Sequence, residues 1–225
     1  MTIAPPTGRT DSRPDGSFWR ANLPGTAGVA YVVAWAVGLA AWPVNLALNA
    51  TAGQTAASYR AHPAGAIVQY LLVEGLAGVL LGIVLACVLR AARDRLGGRV
   101  AGPALLGAIA VITSLAQCAI GLLATAAATS GHAADCGSLS DVVNRLDGVK
   151  MLALAATAAW LAISGPVLPR WLRGVSIPLA LALIASGYAY LTLSNELAST
   201  AYISGPLLLL WVAGAGIALT VRRRR

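Results

Sequence analysis

Apolar residues run along this chain in six stretches separated by short polar segments. The stretches cover about 27–48, 66–89, 103–128, 149–166, 176–193 and 203–221. Roughly 20 mostly apolar residues suffice for a membrane crossing, because about 30 Å of hydrocarbon is covered at 1.5 Å per residue. The pattern predicts an all-α membrane protein, a bundle of six transmembrane helices. Residues 1–25 are rich in Pro, Gly, Thr, Asp and Arg and predict a flexible tail, since they cannot bury enough apolar surface to offset ordering. Residues 26–221 form the six-helix domain, and 222–225 a short basic tail. Between spans three and four lies the longest polar stretch, 129–148, in which 140–146 predicts a short helix capped by Ser140. The polar stretch 51–65 is expected as a loop, and Pro43 is expected to kink the end of span one.

Composition agrees with lipid as the solvent. The chain is 58% hydrophobic and 11% charged, with a mean hydropathy of +0.74. Soluble domains carry about 25% charged residues. Six spans consume most of the 225 residues, which leaves no room for a separate soluble domain.

The charges add orientation. Arg9, Arg13 and Arg20 precede span one. Arg90, Arg93, Arg95 and Arg99 follow span two, Arg170 and Arg173 follow span four, and Arg222 to Arg225 end the chain. These are 13 of the 16 basic residues, all in segments that share one side, against Arg60, Arg145 and Lys150 on the other. The bias places both termini in the cytoplasm of a multi-pass protein, with the plasma membrane as the expected location. The arginines are expected to meet anionic lipid head groups at the cytoplasmic face. Nucleic acid is not expected as a partner, because the loops are too short to build a basic surface with stacking aromatics. Another membrane protein or a second copy is the partner that packed helix faces would accept.

No catalytic, nucleotide-binding or metal motif stands out, so neither an enzyme nor a cofactor is expected. His132-x-x-Asp135-Cys136 matches no zinc spacing. Cys87 and Cys118 fall inside spans and Cys136 in the long polar stretch, with no partner for a disulfide there.

Glu74 is the exception inside the apolar runs. A carboxylate in a span costs about 2.5–3.5 kcal/mol at the bilayer centre on insertion scales, so it needs a partner. Gly78 and Gly82 follow at four-residue steps and put Glu74 on a stripe where another helix approaches closely. Lys150 and Arg145 are the expected partners, and Asp147, three residues before Lys150, shares its helix face. Gln69, Tyr70, Asn45 and Gln117 are candidates to join the cluster. Ser114, Gln117 and Gly121 share one face of span three. Three readings follow: a pair that locks helix packing, a proton- or ligand-binding site opening outward, or a carboxylate that is simply interfacial and wet.

Two short stretches carry a resemblance. Ala27-Gly28-Val29-Ala30-Tyr31 with Gly38, and Leu168-Pro169-Arg170 followed by a span holding Gly187-Tyr188, resemble a family of uncharacterised six-helix bacterial integral membrane proteins. The resemblance implies the six-span layout and no activity, so no functional residues come with it. The expected function is a small regulatory, sensory or scaffolding component. The alternative is a small-molecule or proton-coupled transporter using Glu74 and Lys150.

Overall fold

A computed structural model describes residues 16–42, 46–164 and 167–223. All regular structure among them is helical. The elements are α1 (Gly16–Ala41), α2 (Ala52–Ala61), α3 (Pro63–Gln69), a π-helical turn (Tyr70–Leu76), α4 (Ala77–Leu96), α5 (Ala101–Thr129), α6 (Ala133–Ile163), α7 (Arg170–Thr192) and α8 (Ala201–Arg223).

Five helical runs among the described residues are long and apolar enough to cross a membrane. The longest, Pro63–Thr129, folds back on itself at a 3-10 turn, Gly97–Val100, where Gly97 takes a φ of 58°. Beyond that turn α5 returns antiparallel along α4. Gly78 meets Ser114, Gly82 meets Val111, and Gly107 meets Leu85. The run therefore offers two crossings. Large apolar side chains such as Leu105, Ile112, Ile163 and Leu181 remain more than half exposed around the outside. A belt of this kind suits contact with lipid better than with water.

The helices pack as antiparallel neighbours through small residues. α1 lies along α8, where Gly28 approaches the Val212 carbonyl and the Gly25 N–H donates to Thr220 Oγ1 (2.9 Å). α6 and α7 cross at Gly148 and Gly187 with their backbones nearly touching. Trp211 of α8 is fully buried and donates through Nε1 to Ser176 of α7 (2.8 Å). The end of the bundle holding Gly97, Arg170 and Arg222 collects the described arginine clusters. There Arg173 Nε donates to the Ala162 carbonyl (3.0 Å), and Arg222 donates to that of Val167.

Several expectations need correction. Residues 16–25, expected in the flexible tail, belong to α1, and span one ends at Ala41 instead of continuing to 48. Residues 1–15 and Pro43, with its expected kink, lie outside the described residues. The 51–65 stretch is not a loop. Thr51 caps α2 by accepting from the Gln54 N–H, while Gln54 Oε1 accepts from the Thr51 N–H (2.9 Å). Such a reciprocal box satisfies two backbone donors that would otherwise lack partners. α2 then lays Thr55, Ala56 and Tyr59 into the end of the bundle opposite the arginines. The 129–148 stretch is not a loop either. A turn at Gly131 (φ 86°) leads straight into α6, so span four starts at Ala133 and Ser140 sits inside the helix. This extension buries Cys136, Gly137 and Val143 under α2 and α5, and leaves Asp135 and Arg145 exposed. Its period is helical, although its mean polarity is that of a loop.

Candidate functional site

The central polar cluster forms where the π turn, α5 and α6 meet. In the π turn the Ala77 N–H donates to the Leu72 carbonyl, five residues back. That extra residue per turn is a local irregularity of a sort that concentrates at functional sites. Glu74 sits within it and is 9% exposed. Gly78, one helical turn on, lets α5 close in. A Cβ there would lie 3.0 Å from Ser114. Ser114 Oγ donates to Glu74 Oε2 at 2.7 Å and lies 3.1 Å from the Glu74 carbonyl.

Lys150 reaches the same carboxylate from α6. Its Nζ donates to Glu74 Oε2 at 2.7 Å and lies 2.6 Å from Asp147 Oδ1, one helical turn earlier. Lys150 is 8% exposed. The paired groups thus comprise two carboxylates and one ammonium, with one negative charge in excess. Taking such a charge out of water is expensive unless something compensates it.

Two cavities flank the cluster, and both are lined by Glu74 and Asp147. The larger, of about 180 Å3, lies between the π turn, α4 and α5 on one side and α1, α6, α7 and α8 on the other, and its walls include Tyr31, Trp35, Lys150, Tyr190 and Ser204. The smaller, of about 150 Å3, lies against α5 and is walled mostly by polar groups, including Gln69, Gln117 and Asn144. Gln117 is 1% exposed. Its Nε2 donates to the Val143 carbonyl (3.2 Å), while its Oε1 has no hydrogen-bond partner. The amide orientation follows from that bond, since only the NH2 end can face a carbonyl. Gln69 Oε1 is likewise buried without a partner. An orphaned buried acceptor costs about 1–3 kcal/mol.

Next to the cluster, Tyr70 packs its ring against Gly121, and its hydroxyl pairs with that of Tyr59 at 2.5 Å. Trp42 stacks edge-on against Tyr59 with centroids 4.6 Å apart. Burial pushes the Tyr59 phenol above its ordinary range, so it acts here as a neutral hydrogen-bonding group. These rings seal the α2 end of the site.

The expected cluster is thus partly assembled. Glu74, Lys150 and Asp147 are in contact, and Gln69 and Gln117 line the adjoining cavity. Arg145 is exposed on α6 and forms no part of the triad. Asn45 lies outside the described residues. Ser114 was legible as part of a polar face, but not as the donor to Glu74. Tyr31, Trp35 and Tyr190 were not foreseen at the site. Their only signal is the four-residue spacing of Tyr31 and Trp35 on one face of α1. Among the described residues no group of three or more His, Cys, Asp or Glu is placed to hold a metal ion. The three cysteines are free thiols.

No protein-family model, curated protein or solved structure matches the chain.

Proposed function

We propose that this chain is a small multi-pass carrier of the plasma membrane whose Glu74–Lys150–Asp147 centre takes up a proton or a small cation. The observation that carries the reading is the excess carboxylate. Two acids share one ammonium inside a bundle of membrane-crossing length, and both acids border cavities. Uptake of one positive charge makes the centre neutral, and its release leaves a charge that destabilises the closed packing. This gives the bundle two states of differing energy, which ion-coupled transport requires.

The distribution of arginines supports an orientation with both termini cytoplasmic and the α2 cap outside. Between α4 and α5 an apolar groove of about 690 Å3 ends at Arg90 and Arg93. It suits the acyl chain of an anionic phospholipid whose phosphate meets those two arginines. The resemblance to six-helix bacterial membrane proteins fits this layout and adds no activity.

A second reading, a regulatory or scaffolding component, draws on the direct bonds from Ser114 and Lys150 to the Glu74 carboxylate, which suit a packing lock. Proton flux separates the two. In vesicles loaded with a pH-sensitive dye, an imposed inside-negative potential should drive acidification through the wild-type protein, and Glu74→Gln should bring it to the rate of protein-free vesicles. Equal flux in wild type and Glu74→Gln would overturn the carrier reading.

A further inference from the structure

We infer that the smaller cavity, between the π turn, α5 and α6, is a site for one small monovalent inorganic cation of the sodium type. The inference rests on the reading of the triad as a centre with excess negative charge, and it assigns the group that neutralises that charge.

The cavity of about 150 Å3 is bounded by Tyr70, Val73 and Val143 and by five further side chains, Gln69, Gln117, Asn144, Glu74 and Asp147. Every one of these five offers an oxygen. Two of the oxygens, Gln69 Oε1 and Gln117 Oε1, are buried without a partner. Gln117 is the stronger pointer, because its side chain is almost wholly buried. Its NH2 is committed to the Val143 carbonyl, so the amide oxygen is the end left over. A buried acceptor held in that position is unfavourable unless a cation or a donor meets it.

Charge decides the valence. Glu74 and Asp147 contribute two negative charges and Lys150 one positive charge, so a single positive charge brings the centre to neutrality. A divalent ion would leave it positive, and the third acidic ligand that such an ion favours is missing among the described residues. The chemistry of the walls decides the type. Carboxylate and amide oxygens are hard ligands that suit an alkali ion retaining a water or two. Three aromatic side chains that would stabilise an organic ammonium, Tyr31, Trp35 and Tyr190, line the other cavity, against Tyr70 alone in this one. The larger cavity is therefore left for a different ligand, and the oxygen-lined one for the ion.

The test is the thermal unfolding midpoint of the purified full chain in detergent. Sodium chloride replaces choline chloride at constant ionic strength, and equilibrium binding of radioactive sodium is measured alongside. Wild type should show a saturable, sodium-dependent rise in midpoint and one bound ion per chain. Gln117→Leu should weaken the apparent sodium affinity about tenfold or more, because an oxygen facing the cation is lost. Gln69→Leu, at the half-buried edge, should weaken it less and guards against a folding defect in the Gln117 variant. Several outcomes would overturn the inference: no sodium-dependent shift in wild type, as for a cavity holding only water; wild-type affinity retained in both glutamine variants; or a response to methylammonium and none to sodium. If sodium has no effect while Glu74→Gln still abolishes proton flux, the ion site fails and the proton centre stands. If sodium binds while that flux is unchanged, the carrier reading fails.

Discussion

Lys150→Met should lower the unfolding free energy by about 3–5 kcal/mol, the range for removing one partner from a buried ion pair. Charge counting gives the reason. The substitution leaves Glu74 and Asp147 facing each other across the former ammonium position, with one buried and one partly buried negative charge and no counter-charge. Glu74→Gln has the opposite character. Lys150 keeps Asp147 at 2.6 Å, the centre becomes neutral, and the new amide oxygen still accepts from Ser114 and Lys150. Its cost should stay below about 1.5 kcal/mol, the scale of one ordinary hydrogen bond. Combining the two should recover much of the Lys150→Met loss, since only Asp147 then remains charged. Thermal and denaturant unfolding of the detergent-solubilised protein measures all three. A simple two-residue lock predicts equal losses from either single variant, so the asymmetry distinguishes a triad from a pair.

Gly148→Val should be among the most damaging single changes outside the charged groups. A Cβ at this position would lie 2.7 Å from the Gly187 carbonyl oxygen and 2.7 Å from Leu191 Cγ. A backbone carbonyl cannot swing aside as a side chain can, so α6 and α7 must part. Overpacking of this kind costs about 1–3 kcal/mol for an extra methylene or two, and valine adds three carbons at a backbone crossing. The damage should also reach the site, because Gly148 lies between Asp147 and Lys150. Moving α6 lengthens the 2.7 Å bond to Glu74. The variant should therefore lose both thermal stability and proton flux. Gly53→Ala is the matched control. Nothing lies within 4 Å of a Cβ there, and α2 is helical at that position, so the change should be neutral or slightly stabilising. Comparable loss from both glycine substitutions would mean that the α6–α7 contact is not the tight crossing described.

The apolar windows were legible because hydrocarbon thickness sets their length, and no other feature of a chain produces repeated runs of that size. The pairing of Glu74 with Lys150 was legible for a related reason, since an isolated charge in an apolar helix demands a counter-charge and few are present. What escaped was helical structure beyond the apolar window. Residues 133–147 of α6 bury only Cys136, Gly137 and Val143 among polar neighbours, so their average polarity hides the period. That error put Arg145 into the cluster. Once α6 is continuous, Arg145 lies five positions from Lys150, about 140° around the helix, and faces outward. Asp147, three positions away, stays on the same side. The capping box at Thr51 and Gln54 was present in the sequence, yet α2 contains Gln, Thr, Ser and Arg and carries almost no apolar signal of its own. The π turn has no sequence signature at all. The two unpartnered glutamine oxygens arise only when three helices meet, and no single segment encodes them.

The central claim is that Glu74 borders a cavity and exchanges its positive counter-charge. Carbodiimide labelling tests this most directly. The reagent adds to a protonated carboxyl in an apolar setting, and peptide mapping by mass spectrometry locates the adduct. The account predicts a stable adduct on Glu74 in the full chain in detergent, with labelling that falls as sodium is raised against choline and disappears in Glu74→Gln. An unlabelled Glu74 beside labelled surface carboxyls, or a Glu74 adduct indifferent to sodium and pH alike, would contradict it.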